Sequence, residues 1–225
     1  MNEIVDYQRR NEVLFVLYAS KNILKKPVSR IEVQKAIYLC NSLAPLKNLI
    51  LDYFSFRVWH HGPYSSQIQN TLNNLVGLRY IKMSSYNVKF VNMKKKESSY
   101  YMILDRGIDV VNKLINIPDE NEQYEWIQSI IKIVSIYGIE NIVKIVYQEP
   151  TFKDLKKDIS NNKGKEIPIT DVKQNKIIKL FEYIKEVGEN EFNYLIDTPE
   201  KVLLAIFDYL YSEIEEDSEY GVGEI

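Results

Sequence analysis

A single cysteine, two histidines and eight glycines leave few ways for this 225-residue chain to carry chemistry. One cysteine excludes an internal disulfide and a cysteine zinc cluster. Cys40 lies in the apolar run Ala36–Leu43 and has no visible base partner, so it reads as a small buried hydrophobe. A zinc-type centre takes three or four ligands. The two histidines, His60 and His61, are sequence neighbours, and on an extended segment neighbours point to opposite faces. Nothing resembling the phosphate-cradling GxxxxGK[ST] loop is present. Ser65 and Ser66 stand at an expected helix start, where serine caps the helix. These absences predict no catalytic residues, no metal and no cofactor: the chain reads as something other than an enzyme.

Long apolar runs are missing too. None approaches the roughly 18–20 residues that span a bilayer. The opening MNEIVDYQRR is polar where a secretory signal would be apolar, so a cytoplasmic protein without a membrane partner is expected.

Charge is present but unevenly placed. Residues 182–225 carry thirteen acids against two lysines, net −11, which leaves 27 bases and 18 acids, net +9, in residues 1–181. A basic body with an acidic end suits a polyanionic or acidic partner. Between Arg57 and Tyr101 stand seven bases against the single acid Glu97.

Apolar spacing predicts a helix from Ile4 to Leu24, stopped before Pro27. Ser29 followed by Glu32 is a capping box that starts a second helix, running to about Leu43. Phe54–Trp59 alternates like a short strand, and HGP after it is a turn, with His60 and His61 leading into the next helix above a packed Trp59. Tyr64–Leu78 is the best amphipathic helix of the N-terminal half: Ile68, Leu72, Leu75 and Val76 share one face. YIKMSS and VKFVNM read as strands joined near Tyr86–Asn87, SSYYMIL as a further strand, and Asp105 as the cap of a short helix to Ile115.

That order is the order of a winged helix. The expected fold class is therefore α+β, mainly α: a winged-helix-like domain over residues 1–117, then a helical partner-docking region over 118–225, divided at Pro118 and the acidic run after it. In the second part, helices are expected around Trp126–Tyr137 and Ile142–Val146, a flexible polar loop at Ser160–Thr170, and two more helices capped by Thr170 and Thr198. Duplex DNA is the expected secondary partner of the first part. Lysines at a wing tip meet phosphates, and carboxamides on the preceding helix reach base edges. The candidate DNA-binding residues are Arg57, Gln67, Asn70, Lys82, Lys89, Lys94, Lys95 and Lys96. A transcriptional regulator reading a palindrome would need a symmetric dimer, and no dimerisation coil is visible.

The stretch VWHHGPYSSQIQNTLNNLVGLRYI resembles the aromatic–x–x–Gly–Pro–aromatic–Ser helix start shared by two related bacterial groups. One is the middle component of ABC-type three-component conflict systems, the class that includes Lamassu anti-phage defence; the other is the Panacea-type antitoxin domain. KAIYLCNSL (Lys35–Leu43) is similar to the helix preceding that motif, and IYGIENIVKIVYQEPTFKDL (Ile136–Leu155) to a later helix pair ending in a Tyr–x–x–Pro turn. The resemblance covers about residues 10–155. Panacea proteins typically carry a further Trp-containing stretch, and Trp126 stands in an unmatched context, which favours the middle component. Membership would imply a non-enzymatic adaptor between an SMC-like ATPase and an effector nuclease. The alternatives are a Panacea-like antitoxin and a winged-helix transcriptional regulator.

Overall fold

The first long helix, α1 (Glu3–Leu24), is the axis on which the rest is assembled. Five successive residues, Val13 to Leu17, are all buried, which a helix allows only when neighbours cover it all round. The computed structural model describes residues 3–91, 94–169, 176–192 and 199–219. After α1 come β1 (Val28–Ser29), α2 (Arg30–Leu43), α3 (Ser66–Gly77), the hairpin β2 (Ile81–Val91) and β3 (Lys94–Ile103), and α4 (Asp105–Leu114). Then follow α5 (Pro118–Tyr137), α6 (Ile142–Gln148), α7 (Pro150–Lys156), α8 (Ile159–Asn162), α9 (Ile177–Phe192) and α10 (Pro199–Glu219). The molecule is α+β and mainly helical. Among the described residues, no helix is long and apolar enough to cross a membrane.

Local signals hold where they are strong. The Ser29 hydroxyl accepts from Glu32 N–H at 3.2 Å while the Glu32 carboxylate accepts from Ser29 N–H, completing the capping box. On α3, Ile68, Leu72 and Leu75 are fully buried and Val76 is half-buried. Ser65 does occupy the position before α3, but its hydroxyl makes no capping bond and is buried without a partner among the described residues.

The sheet differs from expectation in two ways. Its order is β1-β3-β2, all antiparallel, with Val28 opposite Tyr101 and Ile81 opposite Ile103. The third strand is thus the two-residue β1, too short to show periodicity, and not Phe54–Trp59. The 54–59 stretch keeps its alternation, with Phe54, Phe56 and Val58 buried and Ser55, Arg57 and Trp59 exposed. Its backbone pairs elsewhere: Arg57 with Tyr64 at 2.9 Å in both directions, and Val58 N–H to Lys165 O at 2.9 Å. In addition, the stretch from YIKMSS into VKFV is one strand, β2, over Ile81–Val91. The Tyr86–Asn87 region is absorbed as a register shift between Tyr86 and Lys89, a bulge and not a turn, and Val91 pairs with Lys94.

Three further expectations are corrected. Asp105 is the first residue of α4, preceded by Leu104 at the cap position. Of the Ser160–Thr170 stretch, Ser160–Asn162 belong to α8, and residues 163–169 are pinned to the 56–58 stretch, with Ile167 N–H bonded to Phe56 O at 2.8 Å and both Ile167 and Ile169 buried. Trp59 meets His60 edge-on, ring centroids 5.7 Å apart, but is 44% exposed and so is not buried beneath the histidines. The expected caps Thr170 and Thr198 lie outside the described residues.

Pro118 is the first residue of α5, where its missing N–H is harmless, and Asp119 and Glu120 complement the positive end of the helix. From there α5 runs along α1, with Tyr124 ring-to-ring against Phe15 (5.5 Å) and Tyr18 (5.8 Å). Trp126, buried, donates its indole N–H to Cys40 O at 2.9 Å. The hydrophobic core therefore continues across Pro118 from α1 to Leu210 on α10.

Candidate nucleic-acid interface and the cluster behind it

The candidate DNA-binding residues fall in three places. Lys89, Lys94, Lys95 and Lys96 gather at the far end of the hairpin, where the register sets Lys89 opposite Lys96, Phe90 opposite Lys95 and Val91 opposite Lys94. Lys82 is exposed at the near end of β2, opposite Met102. Arg57 is exposed on the loop that pairs with Tyr64 and Glu166, not on the hairpin.

Gln67 and Asn70 are on α3, and they line a groove that composition alone does not reveal. Its other wall is the start of α1, and Asp6, Arg9, Arg10, Gln67, Asn70, Thr71 and Asn74 enclose about 290 Å³. Gln67 is already engaged: its side-chain oxygen accepts from Ser55 N–H at 2.8 Å, fixing the 54–59 loop to α3. Asn70 and Asn74 are exposed one turn apart. Arg9 is held by Tyr53 O (2.5 Å) and Asp6 (3.1 Å) above the Phe54 ring. Sequence reasoning misses the arginines because an Arg–Arg pair on the polar stripe of a helix reads as solvated surface.

Behind the interface, three distant segments meet in a buried polar cluster. From α2, Gln34 clasps the backbone of Ser65, donating to its carbonyl at 2.8 Å and accepting from its N–H at 3.0 Å. The next residue, Lys35, donates to Pro63 O at 2.7 Å. One turn on, Tyr38 donates to Glu149 at 2.5 Å. Glu149 also accepts from Thr151 N–H (3.0 Å) and Phe152 N–H (2.9 Å), capping α7. Gly62 sits between them with φ +86°, and a Cβ there would lie 2.7 Å from the Tyr147 ring and 3.0 Å from Lys35 Nζ. No larger residue fits this turn.

Burial dominates the electrostatics of this cluster. Desolvation pulls the Lys35 ammonium down to about 7. It pushes Glu149 up, against the lowering effect of its three donors, and it raises the Tyr38 hydroxyl. Among the described residues Lys35 forms no ion pair, and its one backbone acceptor is the carbonyl of the Gly–Pro turn. Among the described residues, no three His, Cys, Asp or Glu side chains are grouped as metal ligands would be. A small hollow of about 140 Å³ opens over the cluster between Ile31, Trp59, His61 and Tyr64. The resemblance pointed to Lys35, the Gly–Pro turn and the stretch holding Glu149; the bond from Tyr38 to Glu149 carried no signal, because the two are more than a hundred residues apart.

Comparison with protein-family models gives no match, and comparison with curated proteins gives none.

Proposed function

We propose that the protein is a non-enzymatic adaptor of a bacterial anti-phage defence complex, placed between an SMC-like ATPase and an effector nuclease, with DNA-backbone contact as a secondary role. The observation that carries this reading is the meeting of the motif segments. Lys35 and Tyr38, the Gly62–Pro63–Tyr64–Ser65 turn, and Tyr147 with Glu149–Pro150 are far apart in sequence and close-packed in space. The features that carry the resemblance thus depend on one another. Their polar groups are spent on holding a turn and capping a helix, which suits a scaffold that presents surfaces to partners.

Residues 3–103 are, in this reading, a winged helix. The order α1-β1-α2-α3-β2-β3 with sheet order β1-β3-β2 supports it: α3 is the helix offered to DNA and the hairpin is the wing. Three phosphate contacts from Lys94, Lys95 and Lys96 would give a salt slope of about −2.7, at about −0.9 per contact. The test is co-expression with an SMC-like ATPase and a nuclease encoded beside it. Expected are co-purification of all three and, in the Lys94→Ala/Lys95→Ala/Lys96→Ala variant, intact assembly with a salt dependence flattened by about that slope. Failure to co-purify, or nuclease or ATPase activity residing in this chain alone, would overturn the reading.

A further inference from the structure

We infer that the groove between α1 and α3 is a second duplex-DNA contact, in which Arg10 takes a backbone phosphate and Asn70 and Asn74 meet the adjoining base edges. The inference rests on the winged-helix reading and extends it to residues outside the wing.

The charges in the groove resolve to one available cation. Asp6 is neutralised by Arg9, and Arg9 is immobilised by Tyr53 O and the Phe54 ring. Among the described residues Arg10 has no carboxylate partner. It is half-buried, and its guanidinium lies 5.5 Å from the centroid of the Tyr7 ring, which limits its freedom without using its donors. A guanidinium held in a concave, polar wall is suited to a planar two-point contact with phosphate.

The opposite wall offers uncharged readers. Asn70 and Asn74 follow at i and i+4, so they share a face of α3. Both are exposed, and neither carboxamide is bonded within the described protein. A carboxamide pairs with adenine through its N6 and N7 edge. Gln67 does not share this role, because Ser55 N–H occupies its oxygen. In helix-turn-helix docking, one helix enters the major groove while another crosses the backbone beside it. Here α3 would be the first and the opening turns of α1 the second. Ile4 and Tyr7 are exposed on those same turns, which is the feature a protein partner would use instead.

The test is fluorescence anisotropy of the full-length chain with labelled duplex DNA at low salt, across a salt series and with two sequences, one A-rich. Arg10→Ala is expected to weaken binding to both duplexes and to reduce the salt slope by about 0.9, one phosphate. Asn70→Ala/Asn74→Ala is expected to keep the slope and lower the preference between sequences about tenfold. Thermal melts of both variants should match wild type, since Asn70 and Asn74 are exposed and the half-buried Arg10 has no carboxylate partner among the described residues. The wing-lysine variant is the internal reference. If it alone flattens the slope and Arg10→Ala does not, the groove inference is wrong and the wing reading stands. If neither variant changes binding, both fail. If Arg10→Ala leaves DNA binding intact but abolishes co-purification with a partner, the groove is a protein interface and the inference is overturned.

Discussion

Replacing Glu12 with glutamine should remove a pH dependence from the stability of this protein. Glu12, on α1, is fully buried against Asn41 of α2. One carboxyl oxygen accepts from the Asn41 side-chain N–H, while the other, Oε2, and Asn41 Oδ1 both lack partners among the described residues. A proton on Oε2 removes the buried charge and gives that oxygen a donor. Burial favours that neutral form and pushes the Glu12 carboxyl from its ordinary 4.5 up to about 8. The neighbouring groups that feel its charge, Cys40 on α2 and Tyr53 in the following loop, are themselves pushed up and remain neutral in this range. The sign follows from proton counting. Between about pH 4.5 and 8 the folded state keeps a proton that the unfolded state has lost, so stability is full below that window and falls as pH rises through it. At about 1.4 kcal/mol per unit, the loss across the window is on the order of 3–5 kcal/mol. In the Glu12→Gln variant the carboxamide is uncharged at every pH. Lys35 contributes the opposite slope, stability rising between about pH 7 and its ordinary 10.5, but equally in both proteins. The difference in unfolding free energy, measured by denaturant titration from about pH 5 to 8, isolates Glu12. The variant should gain on wild type by several kcal/mol toward pH 8. Parallel curves would refute the protonated carboxyl.

Two other substitutions probe the frame. Leu72→Ala removes a fully buried side chain from the core stripe of α3 and should lower stability by about 2–5 kcal/mol in chemical denaturation; a loss below that range would mean that the stripe does not pack as described. Gly62→Ala forces a Cβ into a left-handed turn against Tyr147 and should cost about 1–3 kcal/mol from the backbone alone, more with the clash; wild-type stability would show that the turn is not held by Lys35 and Tyr147.

Signals confined to a few residues were legible from sequence. The Ser29–Glu32 box, the Ile68–Leu72–Leu75 stripe and the end of the helix at Tyr137 each depend on neighbours within one or two turns. Pairing was not legible. The alternation of 54–59 correctly marked which residues are buried, yet nothing local says that Val58 bonds Lys165 and not a sheet. β1 was invisible because two residues have no period. The same limit applies to the site: Gln67 and Asn70 could be placed on the polar face of α3, but the arginines facing them come from about sixty residues earlier.

The polar groups buried on α2 explain why these distant pieces keep their places. Gln34 fixes the Ser65 backbone, Lys35 the Gly–Pro turn, Tyr38 the start of α7, and Asn41 the buried acid of α1. Apolar contacts alone tolerate small slides of one helix over another, whereas a buried hydrogen bond left unmade costs about 1–3 kcal/mol. Each pair therefore selects one register for its neighbour. Asn41 sets α1 against α2, and Gln34 with Lys35 sets the turn from which α3 departs. The relative position of α1 and α3, and with it the alignment of Arg10 with Asn70 and Asn74 across the groove, follows from bonds made on a single helix that touches neither wall's exposed face.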